Sequence, residues 1–169
     1  MAQTVARVNC RKLTGFHRTA DPYRDTDVID TRGPRTNQAV IGTLSAVALL
    51  TGAWWIAAVL ALQLVLGLTL GRRWCLPCVA YFELIQPRFG EGPLEDSRPP
   101  RFANMIGAGC LTAATVFFLA GVPAAGWILT GLVAALALLA AVTGFCTGCW
   151  IHKLVFGECE ACDVPLTAR

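Results

Sequence analysis

Charge is scarce in this sequence and missing altogether from two long segments. Charged residues make up 15% of the 169 positions, and none lies in 36–71 or in 102–152. Proteins that move protons or ions across a membrane usually carry ionisable residues inside their spans, so these gaps argue against a transporter. Nucleic-acid-binding motifs are missing as well. The basic residues are spread along the ends of the uncharged segments, and we expect no nucleic-acid partner.

What fills the uncharged segments is apolar. The chain is 55% hydrophobic and its mean hydropathy is +0.56, which is typical of a membrane protein. A helix that crosses a bilayer needs about 20 apolar residues, so each segment has room for two, with short helices in the first. The sequence therefore predicts an all-α polytopic membrane protein whose four transmembrane helices form two tandem, pseudo-symmetric helical hairpins.

The placement of charge predicts the orientation. All 14 Lys and Arg residues lie before Thr36, from Arg72 to Arg101, or after His152, and the predicted hairpin tips near 51–52 and 121–123 carry no charge. Basic residues in short loops mark the cytoplasmic side of a membrane. We therefore expect a multi-pass protein of the bacterial plasma (inner) membrane, in contact with lipid and with both termini in the cytoplasm.

An internal repeat divides the chain. Asp30-Thr-Arg-Gly-Pro-Arg35 is matched by Asp96-Ser-Arg-Pro-Pro-Arg101, and each opening is followed by an apolar run that ends at a C-x-x-C pair. Two such units predict a pseudo-two-fold axis along the membrane normal. The predicted organisation is a polar cytoplasmic arm (1–29), a first two-helix repeat (30–90), a linker (91–95), a second two-helix repeat (96–157) and a cytoplasmic tail (158–169).

The candidate functional residues are three C-x-x-C pairs: Cys75 and Cys78, Cys146 and Cys149, and Cys159 and Cys162 in the tail. Stable structural disulfides are rare in the cytoplasm, which leaves cycling redox chemistry or metal binding. In the redox interpretation Cys75 and Cys146 are the attacking thiols. Cys78 and Cys149 are the resolving thiols, and the tail pair is a mobile carrier of electrons or sulfane sulfur.

Metal binding is the alternative chemistry. Two C-x-x-C pairs supply the four thiolates of a zinc or iron site, and they can also hold an iron–sulfur cluster. One set is Cys75, Cys78, Cys146 and Cys149, and the other is Cys146, Cys149, Cys159 and Cys162. In this alternative the chain is an accessory subunit of a larger membrane complex. Whether the chain is an enzyme stays open at this point.

Shorter segments carry weaker predictions. Residues 79–85 are typical of a short amphipathic helix lying on the cytoplasmic surface, and residues 150–156 are interpreted as an extension of the last helix. Cys110, in the middle of a predicted span, is expected to be a small buried apolar residue.

The repeat openings and the closing Phe145-Cys-Thr-Gly-Cys149 resemble the bacterial four-helix membrane family called domain of unknown function 4395. The resemblance covers about residues 28–157, and the stretch 95–102 and the closing motif carry most of its specificity. It implies a setting beside thioredoxin-like and rhodanese-type sulfurtransferase proteins. We therefore predict a membrane-anchored, cytoplasm-facing thiol-redox or sulfur-relay component that acts with such a partner.

Overall fold

The described part of the chain is mostly helical. A computed structural model describes Tyr23, residues 28–90, Gly92 and residues 94–156, so the tail with Cys159 and Cys162 lies outside the described residues, as does most of the N-terminal arm. The α-helices are α1 (Arg32–Thr51), α2 (Trp54–Thr69), α3 (Leu76–Ala80), α4 (Gln86–Phe89), α5 (Arg98–Leu119), α6 (Pro123–Thr143) and α7 (Thr147–Phe156). Two short strands, β1 (Val28–Asp30) and β2 (Leu94–Asp96), each precede the first helix of a repeat.

The two strands bring the repeat openings together. They pair antiparallel, with Ile29 opposite Glu95 and Asp30 opposite Leu94. Because Ile29 and Glu95 occupy equivalent places in the two repeats, this register is the one expected of repeats related by a local two-fold axis. The aspartates act alike: Asp30 Oδ1 accepts the N–H of Arg32 at 2.9 Å, and its counterpart Asp96 Oδ1 accepts the N–H of Arg98 at 2.8 Å. Each aspartate thereby supports the start of a long helix.

The long helices pack across the repeats. The most extensive helix pairings are α1 with α6 and α2 with α5, so the first helix of each repeat lies against the second helix of the other. Close approach is possible at Gly42, where a Cβ atom would lie 2.8 Å from Leu138 Cγ. The core contains small and branched apolar side chains from all of these helices: Ile41, Ala57, Leu60, Ala61, Leu64, Ala108, Leu111 and Val133.

One arginine from each repeat opening reaches the end of a helix in the other repeat. Arg101 donates from Nη2 to the carbonyl oxygen of Leu68, near the end of α2, at 3.4 Å. The guanidinium of Arg35 lies against Gly144, which follows the end of α6. A positive charge at a helix C-terminus is favourable because of the helix dipole. The starts of α1 and α5 and the ends of α2 and α6 therefore lie at one end of the bundle.

Two helices of the described residues, α5 and α6, are long and apolar enough to cross a membrane. Only 17% and 28% of their most apolar 18-residue windows are buried. Helix α2 is apolar but has 16 residues, and α1 has Arg32 and Arg35 in its first turn.

The shorter elements agree only in part with the sequence predictions. Residues 79–85 are helical, divided between the end of α3 and a π-helical segment, Tyr81–Ile85, in which Tyr81 and Phe82 are buried while Leu84 and Ile85 are exposed. Residues 150–156 do not extend α6. Gly144 adopts a left-handed conformation with φ of 75°, which ends α6 and lets α7 start in a new direction.

Candidate dithiol site

The first cysteine pair is closed and buried. Cys75 is the residue before α3 and Cys78 lies inside that helix; the two form a disulfide with their Cα atoms 5.2 Å apart. Each residue is 8% exposed, and both pack with Tyr81 and Phe82. The α2 backbone approaches closely, because a Cβ atom on Gly67 would lie 3.3 Å from Cys75 Cβ.

The second pair is not disulfide-bonded, and its first sulfur caps a helix. Cys146 is the residue before α7, and its Sγ accepts the backbone N–H of Cys149 at 3.4 Å. This is the position at which N-cap side chains accept a hydrogen bond from the first turn of a helix. Gly148, between the cysteines, lets α7 approach α5, because a Cβ atom there would lie 2.7 Å from Ala103 Cβ.

The surroundings of Cys146 favour its thiolate. The side chain of Cys149 donates to it, and with further hydrogen bonds from the backbone of Cys149, the side chain of Gln38 and the backbone of Gly148 this lowers the pKa of Cys146 from 9.0 to about 6. Burial acts in the opposite direction but is outweighed. A thiolate stabilised at a helix N-terminus beside a second thiol is the usual state of a nucleophilic cysteine in a C-x-x-C pair.

Two successive residues of α1 contact the two pairs. Asn37 Oδ1 lies 3.7 Å from Cys75 Sγ, and Gln38 donates from Nε2 to Cys146 Sγ at 3.3 Å. Asn37, which is 2% exposed, also donates from Nδ2 to Asn104 Oδ1 at 3.3 Å. Sequence reasoning assigned no role to these amides. The available signal was their position, because each repeat opening is followed within three residues by an amide side chain.

A cavity extends from the second pair into the bundle. It has a volume of about 140 Å³ and lies between α1, α2, α5, α6 and α7. Its polar lining includes Gln38, Asn104, Cys146 and Thr147, while apolar side chains line the remainder. Cys110 also lines it; this residue is partly buried and packs against the hydrophobic core, so the predicted small apolar residue also borders the cavity.

The two pairs lie at the same end of the bundle, but as two separate sites. Among residues 28–90, 92 and 94–156, no three His, Cys, Asp or Glu side chains are grouped as a metal site would require. The structure thus does not assemble the predicted set Cys75, Cys78, Cys146 and Cys149. The other predicted set needs Cys159 and Cys162, which lie outside the described residues, and stays a prediction.

Comparison with protein families matches residues 29–156 to a family model described as domain of unknown function (DUF4395). The chain belongs to the DUF4395 family. The match includes both described C-x-x-C pairs, the repeat openings and the amides of α1. No curated protein and no solved structure has significant similarity to the chain.

The DUF4395 match confirms the resemblance predicted from the openings and the closing motif. It ends at residue 156, so the tail pair Cys159 and Cys162 lies beyond it. The candidate site of this DUF4395 chain is therefore centred on Cys146 and Cys149, with Gln38 as a donor from the other repeat.

Proposed function

We propose that this chain is a multi-pass membrane protein that carries out thiol–disulfide exchange at the cytoplasmic face, with Cys146 as the attacking thiol and Cys149 as the resolving thiol. The observation that carries the proposal is the hydrogen bonding of Cys146 Sγ. Donors from Cys149 and Gln38 converge on one half-buried sulfur. This arrangement stabilises a thiolate near neutral pH, and the thiolate is the form that attacks a disulfide.

The reaction is an exchange of one disulfide for another. The Cys146 thiolate attacks one sulfur of a partner disulfide, forms a mixed disulfide, and releases the other sulfur of the partner as a thiolate. Cys149 then loses its proton and attacks Cys146 Sγ, which closes the Cys146–Cys149 disulfide and releases the second partner thiolate. The partner gains two electrons, and the pair loses them.

We also propose that the chain crosses the membrane four times and has both termini in the cytoplasm. Large apolar side chains are exposed along α2, α5 and α6, among them Leu62, Val116 and Val142. A water-soluble protein seldom exposes so much apolar surface. The helix ends near the cysteines carry the arginines of the repeat openings, which suits the cytoplasmic headgroup region. A soluble thioredoxin-like or rhodanese-like protein is the partner we propose, on the resemblance described above.

Glutathione disulfide is a suitable probe of the exchange. Full-length protein in lipid nanodiscs is reduced, freed of reductant and incubated with the probe, and each cysteine is analysed by mass spectrometry. Wild-type protein should form the Cys146–Cys149 disulfide. Cys149→Ser should retain glutathione on Cys146 as a stable mixed disulfide, whereas Cys146→Ser should retain little glutathione on Cys149.

The matched control is Cys110→Ser, which removes a thiol from the same cavity and should leave the exchange unchanged. Equal glutathione on the two serine variants would contradict the assignment of Cys146 as the attacking thiol. One equivalent of zinc or iron in anaerobically purified protein, lost in Cys146→Ser, would replace the exchange function with a metal site.

Orientation is tested separately in whole cells that produce Val122→Cys, at the turn between α5 and α6, or Arg88→Cys, at the other end of the bundle. A membrane-impermeant maleimide should label the first variant in intact cells and the second only after lysis. The reverse pattern would overturn the proposed topology.

A further inference from the structure

The cavity beside Cys146 has the size of a single aromatic ring. Its volume of about 140 Å³ is close to that of an engineered apolar protein cavity of about 150 Å³ that binds benzene. Apart from the few polar groups near Cys146, its walls are apolar. They are formed mainly by side chains of α5 and α6, namely Ile106, Leu132, Val133, Leu136 and Ala137.

Polar groups are concentrated at the end of the cavity that Cys146 lines. Gln38 uses one N–H of its amide on Cys146 Sγ, and an amide nitrogen carries two N–H donors. Asn104 accepts a hydrogen bond from Asn37 through Oδ1. The two N–H donors of Asn104 are therefore on Nδ2. Thr147, the next residue after Cys146, lines the cavity as well. A ring that carries carbonyl oxygens would therefore lie among amide and hydroxyl side chains that are able to donate hydrogen bonds, close to the reactive thiol.

The cavity is partly open, and two of its apolar lining residues are exposed. Ile106 is 42% exposed and Leu132 is 48% exposed, and both line the cavity while belonging to the helices long and apolar enough to cross a membrane. A long hydrocarbon substituent on the ring could leave between these side chains and lie against α5 and α6. The exit suits a ligand that arrives from lipid rather than from water.

From these features we infer that the cavity binds the ring of a lipid-soluble quinone, which oxidises the Cys146–Cys149 dithiol. This inference rests on the proposed exchange function and names its electron acceptor. The Cys146 thiolate, the Cys149 thiol, one quinone and one proton give one disulfide and one hydroquinone. An S–S bond forms, the S–H bond of Cys149 breaks, and two O–H bonds form on the quinone, which takes both electrons.

The test follows oxidation of the reduced full-length chain by decylubiquinone in nanodiscs under anaerobic conditions. All proteins carry Cys110→Ala, so that the other free thiol of the cavity cannot react with the quinone. Hydroquinone is measured by absorbance and the Cys146–Cys149 disulfide by mass spectrometry. We expect one hydroquinone for each disulfide formed.

Ala137→Phe fills the cavity, and Ile106→Trp blocks its exit without adding volume to the packed core. Each should slow quinone reduction at least tenfold. Val142→Phe is the matched control, because Val142 lies on α6, is 84% exposed and does not line the cavity. It should react at the rate of the parent protein. Exchange with glutathione disulfide should be unchanged in all three variants, which also shows that their dithiol sites are folded.

Normal glutathione exchange without quinone reduction would overturn the quinone inference and leave the proposed function standing. Equal quinone rates in Ala137→Phe and Val142→Phe would also overturn it, because the reaction would then not need the cavity. Failure of both oxidants to form the disulfide would remove the proposed function together with this inference.

Discussion

The hydrogen bond that Gln38 donates to Cys146 allows a sharp test of how the site lowers the pKa of the Cys146 thiol. Gln38→Met keeps the length of the side chain but removes the N–H donor of Nε2, which lies 3.3 Å from Cys146 Sγ. A hydrogen bond to a charged group contributes about 1.5–3 kcal/mol, and the lower value applies at a half-buried sulfur that water can reach. Since one pKa unit corresponds to about 1.4 kcal/mol, the variant should raise the pKa of Cys146 by about one unit.

The sign of the pH effect follows from the direction of the shift. With the pKa of Cys146 lowered to about 6, the thiolate is populated above that pH and is lost as the pH falls through it. In Gln38→Met the loss should occur near pH 7, so the thiolate fraction at pH 6 drops from about one-half to about one-tenth. A more basic thiolate is roughly threefold more nucleophilic for each unit of pKa.

These two effects predict rate profiles that cross. At pH 6 alkylation of Cys146 should be about twofold slower in the variant, and at pH 9 it should be about threefold faster. The measurement is the rate of iodoacetamide labelling of the Cys146 peptide by mass spectrometry between pH 4 and 10. Thr36→Val is the control, because the Thr36 hydroxyl donates to the Arg32 carbonyl of its own helix. An unchanged midpoint in Gln38→Met, or an equal shift in Thr36→Val, would refute the reasoning.

Two further predictions compare the loss of stability between substitutions at equivalent or similar positions. Asp30→Ala removes the acceptor of the Tyr81 hydroxyl at 2.8 Å and of the Gly92 N–H at 2.9 Å, and should lower the free energy of unfolding by about 3 kcal/mol, against about 1 kcal/mol for Asp96→Ala. Gly42→Ala should cost about 1–3 kcal/mol because α1 and α6 must separate, whereas Gly109→Ala, which meets nothing within 4 Å, should be neutral or stabilising. Unfolding in detergent followed by circular dichroism checks both pairs, and equal losses within either pair would contradict the structure.

Helical content and the repeat could be predicted because local patterns determine them. Uncharged segments of spanning length indicate apolar helices, and the Asp-x-Arg openings recur where the first long helix of each repeat begins. The break at Gly144 was missed because a glycine after an apolar helix ends it only when the next segment packs elsewhere. Here Arg35 lies against that glycine and α7 packs on α5.

The chemistry of the site depends on contacts that sequence patterns do not encode. Both cysteine pairs follow an apolar helix, and in both the first cysteine directly precedes a short helix, so they look alike in the sequence. They differ because Gln38 reaches Cys146 while its neighbour Asn37 reaches Cys75 and Asn104. Successive residues of one helix point in directions about 100° apart, and only the packing of α1 decides which sulfur each amide meets.

The two cysteine pairs differ in burial, and from this difference we predict that they differ in reactivity. Cys75 is 8% exposed and packs with Tyr81 and Phe82, whereas Cys146 is half-buried and lines an open-ended cavity. Since exchange requires access to the attacking sulfur, a soluble partner should react at Cys146. After full reduction, N-ethylmaleimide at pH 8 should label Cys146 at least tenfold faster than Cys75, and denaturant should abolish most of that ratio. Equal rates in the folded protein would restore the interpretation of two equivalent attacking thiols; the expected ratio would leave Cys75 and Cys78 as an internal pair that a soluble partner does not reach directly.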